Sequence, residues 1–192
     1  NGLAVIHCAI SNDNISLVKK CLKKSPSLLF LRTKQKIAGS FTLAPIFYAI
    51  NMGSKKSIKF LSKNKKVGHL KTEDGHNLLH WAFVMAETNW VDEETEQLLV
   101  KRFPYLLKKP NNYGYAPYQI WFDLITERTV KNILSHLNFN QIEKEFKMLT
   151  HFQKKKFLNI ANKLNLKIKS KDKSKDILKC LRQEEYELSL LF

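Results

Sequence analysis

The residues of this 192-residue chain that could do chemistry are its six histidines, its three cysteines and a few acid and lysine clusters. His76 and His80 stand four apart, a spacing at which two imidazoles on one helix face share a metal ion. No third ligand follows at a zinc spacing, and a helix starting near Asn77 or Leu78 leaves His76 on the preceding turn. Cys8 beside His7 has the composition of a thiol–imidazole pair. Adjacent residues of a helix point in different directions, so Cys8 is expected in the core instead. Gly53-Ser54-Lys55-Lys56-Ser57 has the flavour of a phosphate loop, but the first glycine of that motif is missing and no strand precedes it. A turn between helices is the simpler reading. Asp92-Glu93-Glu94-Thr95-Glu96 offers carboxylates for acid–base work, and equally the acids that favour a helix N-terminus. With no G-x-S-x-G, G-x-G-x-x-G or C-x-x-C, the chain is not expected to be an enzyme or to hold a metal or cofactor. Cys8, Cys21 and Cys180, odd in number and scattered, read as free thiols of an intracellular, reducing compartment.

Charge is the second signal. Lys and Arg number 33 against 17 Asp and Glu, for a net +16. Residues 1–71 hold almost no acid, residues 72–127 are net acidic, and residues 151–182 are basic again. Such a field steers encounters with acidic partners without naming them. The apolar fraction of 44% argues against wholesale disorder. No apolar run approaches the ~20 residues of a membrane span, and the longest, from Phe41 to Ile50, contains Pro45. The opening Asn1-Gly2 has no basic flank or apolar core, so no secretion peptide is expected there. The missing initiator Met allows a longer natural protein.

The elements that would position these residues recur along the chain. Gly2-Leu3-Ala4-Val5-Ile6-His7-Cys8-Ala9 aligns with Thr42-Leu43-Ala44-Pro45-Ile46-Phe47-Tyr48-Ala49. Gly75-His76-Asn77-Leu78-Leu79-His80-Trp81-Ala82 and Gly114-Tyr115-Ala116-Pro117-Tyr118-Gln119-Ile120-Trp121 follow the same pattern. Asp13 and Gly53 stand at equal offsets behind His7 and Phe47, where a turn would join two helices. Ile15, Val18 and Leu22, and then Ile58 and Leu61, space as apolar helix faces behind those turns. Pro26 and Pro104 sit where each second helix would end.

These four segments resemble the ankyrin signature G-x-T-P-L-H-x-A. The ankyrin period is ~33 residues. His7 to Phe47 is 40 residues, Phe47 to His80 is 33, and His80 to Gln119 is 39, so the outer repeats carry insertions. The resemblance covers residues 1–137 and implies an all-α solenoid of about four degenerate helix–turn–helix repeats. It implies that His7 and His80 hydrogen-bond between repeats. It further implies a monomeric protein-interaction module that binds through turn tips and the concave face of the first helices. Carried over by register, the partner-binding positions are Phe41, Leu43, Met52, Glu73, Asp74, His76, Met85, Asn112, Tyr113, Tyr115 and Asp123. The irregular repeats and the lysine and asparagine richness also look like ankyrin effectors of intracellular bacteria, which implies release into a host cytoplasm.

Residues 138–192 form a basic segment of different pattern. Ile142, Phe146 and Leu149 space as a short helix, and Thr150 could cap a second with Phe157, Ile160, Ala161 and Leu164 on its inner face. Leu166 and Ile168 alternate as a short extended stretch, before a polar loop and a last helix capped by Ser174. The expected role is a helical cap on the last repeat. For the chain as a whole, two alternatives to the protein-interaction module remain: binding of nucleic acid or another anionic surface through the basic first repeats and Lys154, Lys155, Lys156, Lys169, Lys171, Lys173 and Lys175, and service as the recognition arm of a larger enzyme.

Overall fold

The computed structural model describes residues 2–37, 41–167 and 182, the side chains of residues 139, 151 and 165–167 excepted. Among these residues there are helices and turns and no strand; an isolated antiparallel bridge joins Ile37 to Phe41. The all-helical expectation holds. No helix among the described residues is long and apolar enough to cross a membrane. The chain divides into two compact units, residues 1–117 and residues 118–192.

The first unit contains three helix pairs: α1 (Val5–Ser11) with α2 (Ile15–Lys24), α3 (Pro45–Asn51) with α4 (Lys55–Leu61), and α5 (Leu78–Glu87) with α6 (Glu93–Arg102). The first helices pack on one another in order, α1 on α3 and α3 on α5. The second helices do the same, α2 on α4 and α4 on α6. Helix α3 is therefore enclosed, and Pro45, Ile46, Phe47, Tyr48, Ala49 and Ile50 are all buried. Pro45 fits because the first turn of a helix needs no N–H there and its φ is preset. Ala9, Ala49 and Ala82 are also buried, and their small side chains let neighbouring helices approach.

The turns follow from local chemistry. Asp13 (φ 44°), Gly53 (φ 61°) and Asn89 (φ 62°) adopt the left-handed conformation that reverses the chain within each pair. Gly53 has a further reason: a Cβ there would meet the Trp90 carbonyl oxygen at 2.7 Å. In the third pair the turn comes late because α5 has 10 residues where α1 and α3 have 7. Pro26 and Pro104 open 3₁₀ turns, Pro26–Phe30 and Pro104–Leu106, directly behind α2 and α6. Cys8 departs from expectation: it is exposed, because α1 turns Ile6, His7, Ala9 and Ile10 inward and Cys8 outward.

The second unit contains α7 (Gln119–Asp123), α8 (Glu127–His136), α9 (Phe139–Met148) and α10 (His151–Lys167). Helix α7 packs on α8 and α9, and α8 on α10. The division thus falls ahead of residue 138, since α7 and α8 share a core with the helices that follow them. In that core Phe122 stacks on Phe157 at 6.2 Å, and Phe146 meets Phe157 edge-on at 5.7 Å. Thr150 caps α10 as its sequence indicates: its Oγ1 accepts from the Gln153 amide, and Gln153 Oε1 accepts from the Thr150 amide at 3.0 Å. Leu166 lies within α10 rather than in an extended stretch, because the helix continues to Lys167. Ile168 and Ser174 lie outside the described residues.

Candidate interaction surface

The turn tips of the first unit are closed by one recurring device. A Thr or Asn exchanges two hydrogen bonds with a residue at the tip's far end. The Thr33 amide donates to the Leu43 carbonyl at 3.1 Å, and Thr33 Oγ1 accepts from the Leu43 amide at 3.0 Å. Thr72 does the same with His76 at 2.9 and 3.1 Å, and Asn111 with Tyr115 at 2.9 and 3.0 Å. The first clasp spans 10 residues and the other two span 4. The long first repeat is therefore an insertion in the tip, with Phe41 on it.

Lateral bonds tie each tip to the next. Arg32 donates to the Thr42 and Lys71 carbonyls. Thr42 Oγ1 donates to Glu73 Oε1 at 2.8 Å, and the Thr42 hydroxyl and amide together hold the Glu73 carboxyl below its ordinary value. Asn112 donates through its amide to the Asp74 carbonyl at 3.1 Å and through Nδ2 to the Glu73 carbonyl at 3.2 Å. Gly75 (φ 78°) permits that approach, since a Cβ would collide with the Asn112 side chain. The Phe41 ring meets His76 edge-on at 6.4 Å and Trp81 at 5.6 Å.

The signature histidines lie beneath the tips. His80 Nδ1 accepts from the Asn77 amide at 3.1 Å, so the proton is on Nε2, which donates to the Tyr115 carbonyl at 2.7 Å. Burial pushes the His80 imidazole down to about 4 against the opposing pull of that carbonyl, leaving it neutral. Burial also lowers His7, with the Leu43 and Leu31 backbone opposing. Asn77 caps α5 through Oδ1, to the Leu79 and His80 amides, and donates Nδ2 to the Leu106 and Lys109 carbonyls at 3.1 Å each. Among the described residues no group of three His, Cys, Asp or Glu side chains is placed to hold a metal ion.

The outer helices are joined as well. Asp13 caps α4 of the next pair, accepting from the Lys56 amide at 3.1 Å, the Ser57 amide at 2.8 Å and Ser57 Oγ at 2.7 Å. Lys55 pairs with Asp92 at 2.6 Å, and Asp92 also caps α6 through the Thr95 amide. The Lys55 and Thr95 contacts hold the Asp92 carboxyl down to about 2. The acidic run Asp92–Glu96 is thus a helix start, with Thr95 and Glu96 buried.

The expected contact residues divide under this geometry. Phe41, Glu73, Asp74, His76, Asn112, Tyr113 and Tyr115 lie on the tips; Glu73 and Asn112 are exposed and Tyr113 is 73% exposed. Met52 and Met85 are half-buried, at the end of α3 and near that of α5. Leu43 is fully buried and cannot contact a partner, because its clasp with Thr33 turns it into the core. Asp123 is exposed but belongs to the second unit. Lys154 is corrected too: it is buried, with its ammonium 5.6 Å from the centre of the Phe146 ring. Lys155 and Lys156 are exposed, whereas Lys169, Lys171, Lys173 and Lys175 lie outside the described residues. Sequence reasoning overlooked Thr33, Thr72 and Asn111, although their even spacing of 39 residues was a usable signal.

No family model matches the chain. Over 109 residues, or 57% of its length, it is 28% identical to the phosphocholine transferase AnkX of Legionella pneumophila. That alignment spans 11% of the transferase.

Proposed function

We propose that the first unit is an ankyrin-type repeat module that binds a protein partner, without catalysing a reaction, through its row of turn tips and the exits of its first helices. The observation that carries this reading is the cross-bonded row itself. Three tips closed by the same clasp and tied side to side present Phe41, Glu73, Asn112 and Tyr113 on a rigid backbone. Recognition gains from such preorganisation, because the loops lose little freedom on binding. An exposed tyrosine among polar neighbours is also a common anchor of protein interfaces. The bond from His80 to the next tip matches the role the ankyrin resemblance gives that histidine.

The test is capture from cell lysate at moderate salt, with nuclease present, followed by measurement of affinity for the captured protein. A discrete protein survives nuclease treatment, and Tyr113→Ala weakens its binding by roughly tenfold or more, as for a central interface aromatic, without altering thermal stability. Complete loss of bound material on nuclease treatment would reject the protein-partner reading. The short alignment with a much longer transferase favours a second reading, in which this module is the recognition arm of a larger enzyme. The Legionella relative also supports a host-directed role. The sequence of the full gene and an assay of its product for phosphocholine transfer test both.

A further inference from the structure

In the second unit, the turn between α9 and α10 carries two apolar side chains that the fold does not use. Met148 is 82% exposed and Phe152 is 74% exposed. Two large exposed apolar side chains four residues apart are the kind of surface that marks a contact site when its neighbours fit one partner.

Their neighbours say which partner. On α10, Phe152, Lys155, Lys156 and Lys163 fall on one stripe by helical spacing, and all four are exposed. On α9, Lys144 lies one turn before Met148 on the same stripe and is also exposed. The two helices carry only two acids, Glu143 and Glu145. Glu143 is paired with Lys147 at 2.8 Å. Glu145 is buried, accepting from the Tyr118 hydroxyl at 3.1 Å and from Gln119 Nε2 at 3.3 Å. The acids of α9 and α10 are thus occupied at or beneath the surface, and the outward charge that these two helices carry beside Met148 and Phe152 is positive.

We propose that the α9–α10 turn is a membrane-contact site for an anionic bilayer. Met148 and Phe152 enter the boundary between headgroups and acyl chains, and Lys144, Lys155 and Lys156 bind the negative surface beside them. Apolar insertion flanked by lysines is the physical recipe of peripheral membrane attachment. Lysines without interleaved arginine and several stacking aromatics do not make a nucleic-acid groove. The site concerns the second unit alone and does not depend on the protein-binding reading of the first.

The experiment is co-sedimentation of the whole chain with vesicles of phosphatidylcholine alone, or with about a third phosphatidylserine. The chain binds the anionic vesicles and not the neutral ones. Met148→Ser with Phe152→Ser, and separately Lys155→Glu with Lys156→Glu, each lower the vesicle-bound fraction about tenfold or more. These side chains are exposed, so the unfolding midpoint stays put and a lost signal is not lost fold. Phe152→Trp shifts its emission to the blue on anionic vesicles. Tyr113→Ala leaves vesicle binding unchanged, which separates this test from that of the first unit. Failure to bind anionic vesicles overturns the proposal, as does equal binding to neutral ones. Binding that survives Met148→Ser with Phe152→Ser also overturns it and assigns attraction to lysines elsewhere, such as those of α2 and α4. Retention on RNA or DNA that is lost with Lys155→Glu and Lys156→Glu, with vesicles unbound, makes the site a nucleic-acid surface instead.

Discussion

In the first unit, separate bonds hold the helix pairs and their turns at several places: Asp13 on α4, His80 on the Tyr115 carbonyl, Asn77 on the Leu106 and Lys109 carbonyls. In the second unit, Tyr118 and Gln119 converge on a single buried carboxylate, Glu145, beside a cluster of Phe122, Phe146 and Phe157. The first arrangement distributes cohesion over separate joints along the unit. The second concentrates it in one cluster built from three helices. Gln119 marks the change, because it occupies the signature histidine's position yet bonds to a carboxylate rather than to a backbone carbonyl.

The contrast can be broken by mutation. The largest expected effect is that of Asn77→Ala, which removes an N-cap and two donations to buried or part-buried carbonyls. Denaturant unfolding should show a loss of about 2–4 kcal/mol; a loss under half a kcal/mol would mean that these joints do not carry the first unit.

Acidification comes next. The unfolded His80 imidazole titrates near 6.5 and the folded one at about 4, so the unfolded chain binds more protons between those values. Stability from this group is complete above about pH 6.5 and falls as pH drops toward 4, by roughly 2–3 kcal/mol. His7 and His76, also lowered by burial, act in the same direction. Thermal unfolding followed from pH 7 to 4 checks this, and His80→Gln should flatten the slope.

The smallest effect sharpens the other side. Glu145→Ala leaves the Tyr118 hydroxyl and the Gln119 amide without their acceptor and should cost about 1–2 kcal/mol. It should also bring the Tyr118 phenol, now pushed up to about 12 chiefly by burial and then by Glu145, back toward 10. Ultraviolet titration of the phenolate reads that shift.

The same contrast explains what was legible beforehand. Repetition made the first unit readable: the aligned segments place α1, α3 and α5, and Asp13, Gly53, Pro26 and Pro104 mark where helices turn or stop. The helix start at Asn77 also followed, which left His76 on a turn. Side-chain direction within a tip was less legible, because the insertion before Leu43 alters how the chain enters the clasp. Leu43 therefore turns inward although the corresponding His76 and Tyr115 stay half-buried. The burial of Glu145 and Lys154 depends on which helices the second unit packs together, and no spacing in one sequence encodes that. The outward turn of Cys8 was missed because both its neighbours, His7 and Ala9, belong to the core.

The joints of the first unit also bear on how the chain is made. The side-chain bonds described between its helix pairs close over at most 44 residues. A polypeptide leaving the ribosome therefore has each seam within reach as soon as the next hairpin of helices has emerged. Assembly can begin at the N-terminal end before the remainder is synthesised, and nascent α3 is left without its α5 cover only for the time needed to translate one further repeat.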